Sequence, residues 1–195
     1  MDASIAQQVF LIRHGETEWS RTGRHTGRSN VPLNEEGRLR ASAIGRALKE
    51  HKFSVLASPL DRARETCRIA GYEDAAVVDP DLREWDYGDY EGRTTAEIRG
   101  EDPNWSVWLS PIVNGESLDQ VAERAQRVIG RVLSMAPGNV ALFAHGHILR
   151  ILAACWVELP PVGGRRLALD TASISTLGYE RQTRVIRDWN LVPPA

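Results

Sequence analysis

The chain is short of cysteine, of long apolar runs and of net charge, and each shortage excludes a class of protein. Two cysteines among 195 residues cannot build a disulfide framework, and neither Cys67 nor Cys155 has metal-ligand spacing. We therefore expect two reduced thiols and a cytoplasmic protein. No apolar run approaches a membrane span, and residues 1–7 lack the pattern of a signal peptide. The formal net charge of −2 gives no general attraction for nucleic acid or an anionic membrane.

What the chain does have is the composition of an ordinary globular protein. With 42% hydrophobic and 26% charged residues, it is long enough to bury one core. We expect a single domain over residues 1–195, with tails at 1–7 and 191–195. Any affinity for anions must then be a local property of one site.

A short apolar run near the N-terminus ends on residues suited to chemistry. Residues 9–12 are consecutively apolar, which is typical of a strand buried on both faces of a parallel sheet. In open α/β sheets, ligands bind beyond the carboxyl ends of the strands. Arg13 and His14 would thus place a fixed cation beside a nucleophilic imidazole. Gly15 would allow a sharp turn or the close approach of a ligand.

A second stretch repeats this design. Residues 140–144 form another apolar run, and it ends on His145, Gly146 and His147. Either His alone could be a hydrogen-bonded structural residue. Two buried strands that each end in His-Gly instead suggest that His14 and His145 converge on one pocket.

The remaining patterns predict alternating strands and helices. Predicted strands follow at 53–57, 75–78, 173–179 and 184–189. Predicted helices lie at 34–49, 94–99, 103–109, 118–133 and 147–156. A further helix is predicted to start after 53–57, with Ser58 as its cap and Pro59 at its first position. The last two strands form an antiparallel pair. This order predicts a three-layer α/β/α sandwich with a mostly parallel sheet and an antiparallel edge.

Two predicted loops supply further polar groups. Residues 17–33 are rich in Arg, Gly and Thr, and residues 82–92 mix aromatic residues with carboxylates and glycines. A carboxyl group beside aromatic surface is a candidate general acid, because desolvation favours its protonated form. The pattern leaves open which carboxylate of the second loop does this: Glu84, Asp86, Asp89 or Glu91.

Arg62 falls in the first turns of the predicted helix after Ser58, where free N–H groups and the helix dipole favour an anion. A surface ion pair is the alternative. Arg62, Arg13, His14, His145 and one carboxylate together suit phosphoryl transfer through a covalent intermediate. The cations bind phosphoryl oxygens, an imidazole attacks phosphorus, and a carboxylic acid protonates the leaving oxygen.

The stretch 11–17, Leu-Ile-Arg-His-Gly-Glu-Thr, resembles the signature of the histidine phosphatase superfamily, also called phosphoglycerate mutase-like. Further landmarks of that family follow in its order across nearly the whole chain, at 26–27, 32–33, 58–63, 84–88, 115–117 and 145–147. Several ordered landmarks are far more specific than Arg-His-Gly alone. The resemblance implies the phosphoglycerate mutase-like fold.

The resemblance also implies roles for individual residues. His14 would be the phosphorylated nucleophile and Glu84 the proton donor. The phosphoryl group would be bound by Arg13, Arg62 and His145, with a backbone N–H from Gly146. The family needs no metal. A metal site built from His14, His145 and His147 is a weaker interpretation of the same pattern.

Three observations bear on the branch of the family. Cofactor-dependent mutases typically carry Asn where this chain has Ser20. They also have a longer insertion between the acid and the second His, whereas Glu84 and His145 are 61 positions apart (145 − 84). The segments 24–27, 84–88 and 147–150 look closer to bacterial acid phosphatases and to sedoheptulose bisphosphatase members.

We therefore expect a phosphatase that hydrolyses phosphomonoesters of small metabolites, such as sugar phosphates, without a metal or cofactor. Beyond the phosphoryl group, we expect Ser20, Thr26, Tyr87 and Arg150 to contact the substrate. A mutase and a non-catalytic module that binds phosphorylated ligands are the alternatives. The expected partner is the small substrate, with neither nucleic acid nor membrane, and a homodimer stays open.

Overall fold

A computed structural model describes residues 7–195, so residues 1–6 of the predicted N-terminal tail lie outside the described residues. The strands are β1 (Val9–Arg13), β2 (Phe53–Ala57), β3 (Ala76–Val78), β4 (Asn139–Ala144), β5 (Ile174–Glu180) and β6 (Thr183–Leu191). The helices are α1 (Glu18–Arg21), α2 (Glu35–Leu48), α3 (Asp61–Ile69), α4 (Thr95–Arg99), α5 (Leu118–Ser134) and α6 (Gly146–Trp156). No helix in this part of the chain is long and apolar enough to cross a membrane.

The six strands form one sheet in the order β3-β2-β4-β1-β5-β6. Strands β3, β2, β4 and β1 are parallel, whereas β5 and β6 add an antiparallel edge. This mixed sheet confirms the fold class predicted from the alternation of strands and helices. Strand β6 reaches Leu191, so it includes the first residue of the predicted C-terminal tail.

Helices cover both faces of the sheet because the central strands are apolar on both sides. Along β1, Val9 and Leu11 pack into a core cluster with α5 and α6, while Phe10 and Ile12 pack into a second cluster with α2 and α3. Strand β4 alternates in the same way. A continuous apolar run is thus the sequence signature of a strand that is buried between two helical layers.

The register of the parallel strands brings distant residues together. Arg13 on β1 pairs with Ala144 on β4, and the next residues are His14 and His145. The His14 N–H donates to the Ala144 carbonyl oxygen at 3.0 Å. On the other side of β4, the Ser58 N–H donates to a β4 carbonyl oxygen at 2.9 Å. The carboxyl ends of three neighbouring strands therefore deliver two imidazoles and a hydroxyl to one edge of the sheet.

Close backbone contact fixes the segment that follows β1. A Cβ atom on Gly15 would lie 2.4 Å from the Gly37 carbonyl oxygen, and one on Gly37 would lie 2.2 Å from the Glu16 carbonyl oxygen. Helix α2 thus packs its backbone directly against the turn after His14. At Gly15, which was expected to allow a sharp turn or the close approach of a ligand, the close neighbour in the structure is the backbone of α2.

Three local predictions were wrong. Helix α3 begins at Asp61 after Leu60, which makes no side-chain cap, so Ser58 is no cap and Pro59 lies outside the helix. Residues 103–109 form turns instead of a helix. The predicted 17–33 loop contains α1, which begins with a capping box between Thr17 and Ser20. The cap predicted for α5, between Ser117 and Gln120, is confirmed.

Gly37→Ala tests whether the α2 contact maintains the fold around His14. We expect a loss of about 3 kcal/mol in the free energy of unfolding, since backbone atoms cannot move aside for a methyl group as a side chain can. Urea unfolding measures this loss.

Gly130→Ala is the matched control, because Gly130 lies within α5 and its added Cβ would meet nothing within 4 Å. There we expect a gain of about 0.5–1 kcal/mol from helix propensity. Equal effects of the two substitutions would contradict the importance of the α2 contact.

Candidate active site

A pocket of about 180 Å³ opens at the carboxyl ends of β1 and β4. It is smaller than the roughly 300–1,000 Å³ of pockets for drug-sized ligands. Most residues predicted from the sequence to bind substrate line it: Arg13, His14, Ser20, Thr26, Glu84, Tyr87, Gly146 and Arg150. Arg62 and His145 are fully buried beside it. The sequence-predicted residues therefore meet around one pocket.

The hydrogen bonding of His14 fixes which ring nitrogen is free. Its Nδ1 lies 2.7 Å from the Gly15 carbonyl oxygen. A carbonyl only accepts, so Nδ1 carries the proton and Nε2 keeps its lone pair. Burial, reinforced by Arg62 and Arg13, lowers the pKa of His14 well below its ordinary value. His14 is therefore a neutral imidazole with a free nucleophilic nitrogen at neutral pH.

His145 is held in the complementary state. Its ring centroid is 5.2 Å from that of His14, and its Nε2 lies 2.7 Å from the Ser58 hydroxyl oxygen. That oxygen accepts the Leu60 N–H at 3.3 Å, so we assign its hydrogen to the bond with Nε2. The His145 proton then resides on Nδ1. Burial, and next Arg62, lower the pKa of His145 well below its ordinary value.

The two arginines are held by carbonyl oxygens instead of carboxylates. Arg62 donates to the carbonyls of Thr26, Gly27 and Ser29 at 2.8–2.9 Å, and Arg13 donates to the carbonyl of Leu169. The surface ion pair considered for Arg62 is absent among residues 7–195. Both guanidinium groups thus lie close to the pocket and form no ion pair with a carboxylate among residues 7–195.

The donors that lack a partner cluster at this place. Within residues 7–195, four buried side-chain nitrogens have no hydrogen-bond partner, and three belong to the cluster: Arg13 Nε, Arg62 Nε and His145 Nδ1. Unpaired buried donors are costly, so native structures rarely keep them without a use. Gly146 adds an N–H that has no intrahelical acceptor, since it is the first residue of α6. The arrangement suits an anion with several oxygens.

Glu84 is the carboxylate of the 82–92 loop that lines the pocket. Its oxygens accept the N–H groups of His147, Ile148 and Trp85 at 2.9–3.0 Å. His147 and Ile148 lie in the first turn of α6, whose own N-cap residue, His145, makes no capping bond. Glu84 therefore caps this helix from another segment of the chain, which fixes the carboxylate beside the pocket.

The other three carboxylates of that loop have structural partners. Asp86 forms an ion pair with Arg28 at 2.7 Å, and Asp89 accepts from the Asn114 side chain at 3.1 Å. Glu91 accepts from the Gly27 N–H at 2.9 Å. These contacts tie loops together, and none of the three carboxylates lines the pocket. Of the four carboxylates that composition left open, Glu84 is thus the one that lines the pocket.

The outer residues of the pocket have partners within the protein as well. The Ser20 hydroxyl belongs to the α1 capping box, and the Thr26 hydroxyl donates to the Arg24 carbonyl at 3.0 Å. Arg150 stacks over the Trp108 ring, with 4.7 Å from Cζ to the centroid, and donates to two carbonyls. The Tyr87 hydroxyl bonds to His147 Nδ1 at 2.6 Å.

Sequence reasoning missed two kinds of residue. Ser58 appeared as a helix cap, whereas its hydroxyl orients His145. His25 and His147 line the pocket but had no assigned role as separate side chains. The second His of the His-Gly-His motif was the available signal for His147. Residues 7–195 contain no cluster of three or more His, Cys, Asp or Glu side chains that could hold a metal ion.

Comparison with known proteins gives a consistent result. The family model of the histidine phosphatase superfamily (branch 1) matches residues 9–192. The chain is 41% identical to an acid phosphatase of Mycobacterium tuberculosis over 91% of this chain and 89% of that protein. It is 35% identical to a sedoheptulose 1,7-bisphosphatase of Saccharomyces cerevisiae, over 80% of this chain and 69% of that one.

The chain is also similar to a protein named as a probable mutase and to a solved structure. A probable phosphoglycerate mutase of Cronobacter sakazakii is 32% identical over 93% of this chain and 89% of that protein. Among solved structures, the product of a Mycobacterium tuberculosis open reading frame superposes with a TM-score of 0.91 at 39% identity. That match covers 95% of this chain and 98% of the other.

Ser58→Ala tests the orientation of His145. Without the hydroxyl, nothing holds the Nε2 lone pair, so the ring can turn or change tautomer. We expect kcat/KM for a phosphate ester to fall by about 10-fold or more, which is less than the loss of a direct oxyanion donor. Steady-state kinetics measures it.

Ser175→Ala is the matched control, because Ser175 is equally buried on β5 and its hydroxyl oxygen accepts the Asn190 N–H at 2.9 Å. This variant should lose stability without a comparable loss of rate. Equal rates for the two variants would show that the Ser58 hydroxyl serves packing alone.

Buried neutral imidazoles should make the fold sensitive to acid. Burial lowers the pKa of His25 to about 4, so the unfolded chain takes up its proton near pH 6.5 and the folded chain only near pH 4. The free energy of unfolding should therefore decline as pH falls between these values, by about 3 kcal/mol for this residue.

Urea unfolding at pH 7 and pH 4 compares the wild type with His25→Gln, which removes this contribution. The variant should lose less stability over the interval than the wild type does. Identical losses in both proteins would rule out a buried neutral His25.

Proposed function

Since the chain belongs to the histidine phosphatase superfamily, we propose that it hydrolyses phosphomonoesters of small metabolites through a phosphohistidine on His14. Its relatives include phosphatases, and we propose the metal-independent, histidine acid phosphatase type of reaction for this chain. The observation that carries the proposal is the state of His14. This neutral ring, with Nε2 free, stands beside unpaired cationic donors.

In the first step, His14 Nε2 attacks phosphorus, the N–P bond forms, and the bond from phosphorus to the ester oxygen breaks. Glu84 gives its proton to the leaving oxygen, so an alcohol departs. Arg13, Arg62 and His145 donate to the three phosphoryl oxygens, whose charge grows in the transition state. The Gly146 N–H adds to this set.

In the second step, water attacks the phosphohistidine. Glu84, now a carboxylate, takes a proton from that water, the N–P bond breaks, and inorganic phosphate leaves. The Nε2 lone pair returns to His14, and Glu84 is protonated for the next cycle. Water is consumed and no electrons are exchanged, so the cycle closes with the residues of this chain.

Size and polarity of the pocket support a small substrate. A volume of about 180 Å³ accommodates a phosphorylated metabolite better than a folded phosphoprotein. Ser20, Thr26 and Arg150 line the outer part and would contact the remainder of the substrate. A sugar phosphate fits this polar lining, and a sedoheptulose bisphosphatase is among the relatives. We also propose a cytoplasmic location, supported by two free thiols.

Phosphoryl transfer of the mutase type is the second candidate, because one relative is named a probable phosphoglycerate mutase. The phosphohistidine would be the same in both reactions. The two differ only in the acceptor, which is water in a phosphatase and a substrate hydroxyl in a mutase.

Trapping the phosphohistidine tests the proposal and separates the candidates. After a rapid quench with a ³²P-labelled ester, we expect acid-labile, base-stable label on the wild type and none on His14→Asn. Turnover of that variant should fall by at least about 1,000-fold. His51→Asn, at an exposed His away from the pocket, is the control.

Discharge of the labelled enzyme into water alone supports the phosphatase, whereas transfer of label to an added phosphoglycerate supports the mutase. Equal turnover by the wild type and His14→Asn would contradict both and favour a binding module.

A further inference from the structure

His147 follows the phosphoryl-binding cluster by one residue, and the mechanism above uses only its backbone. Its ring packs among Trp108, Tyr87 and Trp85, with centroid distances of 5.1, 5.7 and 6.0 Å. The side chain is 18% exposed and lines the pocket next to Glu84. The ring thus lies beside the residue proposed above as the proton donor to the leaving group.

One hydrogen bond determines the tautomer of this ring. The Tyr87 hydroxyl lies 2.6 Å from His147 Nδ1. Tyr87 is buried, and burial raises the pKa of its phenol well above the ordinary value. The phenol therefore keeps its hydrogen at neutral pH, and residues 7–195 offer that hydrogen no acceptor other than His147 Nδ1. We assign the hydrogen to this bond, so Nδ1 accepts and the ring proton resides on Nε2.

The ring is also uncharged. Burial, and next Arg150, lower the pKa of His147 well below its ordinary value. Its Nδ1 is 3.9 Å from a Glu84 oxygen, but a neutral ring whose Nδ1 already accepts from Tyr87 makes no ion pair there. The Glu84 oxygen takes the backbone N–H of His147 instead, at 3.0 Å.

The remaining donor has no protein partner. Within residues 7–195, no side-chain or backbone acceptor bonds to His147 Nε2. The nitrogen belongs to a ring that is rigidly held and partly open to the pocket. A neutral, fixed N–H donor is suited to an uncharged oxygen, and a site built around such a bond rejects analogues that lack the oxygen.

We propose that His147, with its tautomer set by the Tyr87 hydroxyl, donates from Nε2 to a hydroxyl oxygen on the substrate's leaving group. Because His147 lies beside Glu84, the proposed proton donor to the ester oxygen, we assign that hydroxyl to the carbon next to the ester carbon. The inference rests on the proposed phosphatase function and narrows the substrate class to esters of polyols and sugars. A purely structural His147 would join α6 to the 82–92 loop without affecting selectivity.

Two esters of equal chain length provide the test: 1,2-propanediol 1-phosphate, which has only the adjacent hydroxyl, and propyl phosphate, which lacks it. We expect the wild type to favour 1,2-propanediol 1-phosphate by about 10-fold in kcat/KM, the effect of one hydrogen bond of about 1.4 kcal/mol. His147→Phe keeps an aromatic ring and loses the donor, so the ratio should fall to near 1.

Tyr87→Phe removes only the hydroxyl that fixes the tautomer and should lower the ratio part of the way. His51→Phe is the matched control, because His51 packs on Phe10 and Phe53 outside the pocket and should leave the ratio unchanged. A ratio that stays at the wild-type value in His147→Phe would overturn the proposal. The proposal would also be overturned if His147→Phe lowered kcat/KM only for phosphoglycolate, which carries a carboxylate at that position.

Two further measurements separate the possible failures. Turnover of p-nitrophenyl phosphate, whose leaving group has no such hydroxyl, reports the phosphatase activity alone. If p-nitrophenyl phosphate is not hydrolysed, the proposed function is contradicted. If it is hydrolysed but the enzyme shows no preference between the two esters, only the inference about His147 is contradicted. In the wild type, imidazole ¹⁵N spectra should show the His147 proton on Nε2, and a proton on Nδ1 would contradict the assignment without any variant.

Discussion

Positive charge that is held by carbonyl oxygens instead of ion pairs is the constraint on which the rest of the site depends. Arg13 and Arg62 are held by carbonyl oxygens, which fix the guanidinium groups in place and leave their charge intact. That charge, added to burial, keeps His14 and His145 neutral. An anion with several oxygens would relieve the mutual repulsion and pair the open donors. Attraction for the anion and nucleophilicity of the imidazole therefore have one physical origin.

The sheet supplies the precision that this electrostatic arrangement requires. Strands β2, β4 and β1 are neighbours in parallel register, so Ser58, His145 and His14 are positioned by backbone hydrogen bonds and not by flexible loops. Helix α2 then clamps the turn after His14 through the contact between Gly15 and Gly37. Glu84 comes from a loop, but its carboxylate is fastened to α6 by the N–H groups of His147 and Ile148 and accepts a third bond from the Trp85 N–H.

Structural features could be predicted from the sequence where their signal lies in neighbouring residues of the chain. The apolar runs before His14 and His145 predicted buried parallel strands, because residues with both faces covered must be apolar on both faces. The capping box at Ser117 and Gln120 was equally readable. Ser58 was misread because a serine before a proline has the local pattern of a cap, whereas its partner is 87 positions away on a neighbouring strand. The choice of Glu84 was likewise closed to composition, since only three-dimensional contacts occupy Asp86, Asp89 and Glu91.

The capping of α6 by Glu84 has a consequence for how the catalytic cycle could be observed. In the reaction proposed above, Glu84 passes between protonated and ionised forms, which would change the strength of its bonds to the His147 and Ile148 amides. The proposed reaction would therefore be coupled to the first turn of a core helix. Those two amide groups form a built-in spectroscopic reporter, through which the protonation state of the acid can be observed without attaching a probe.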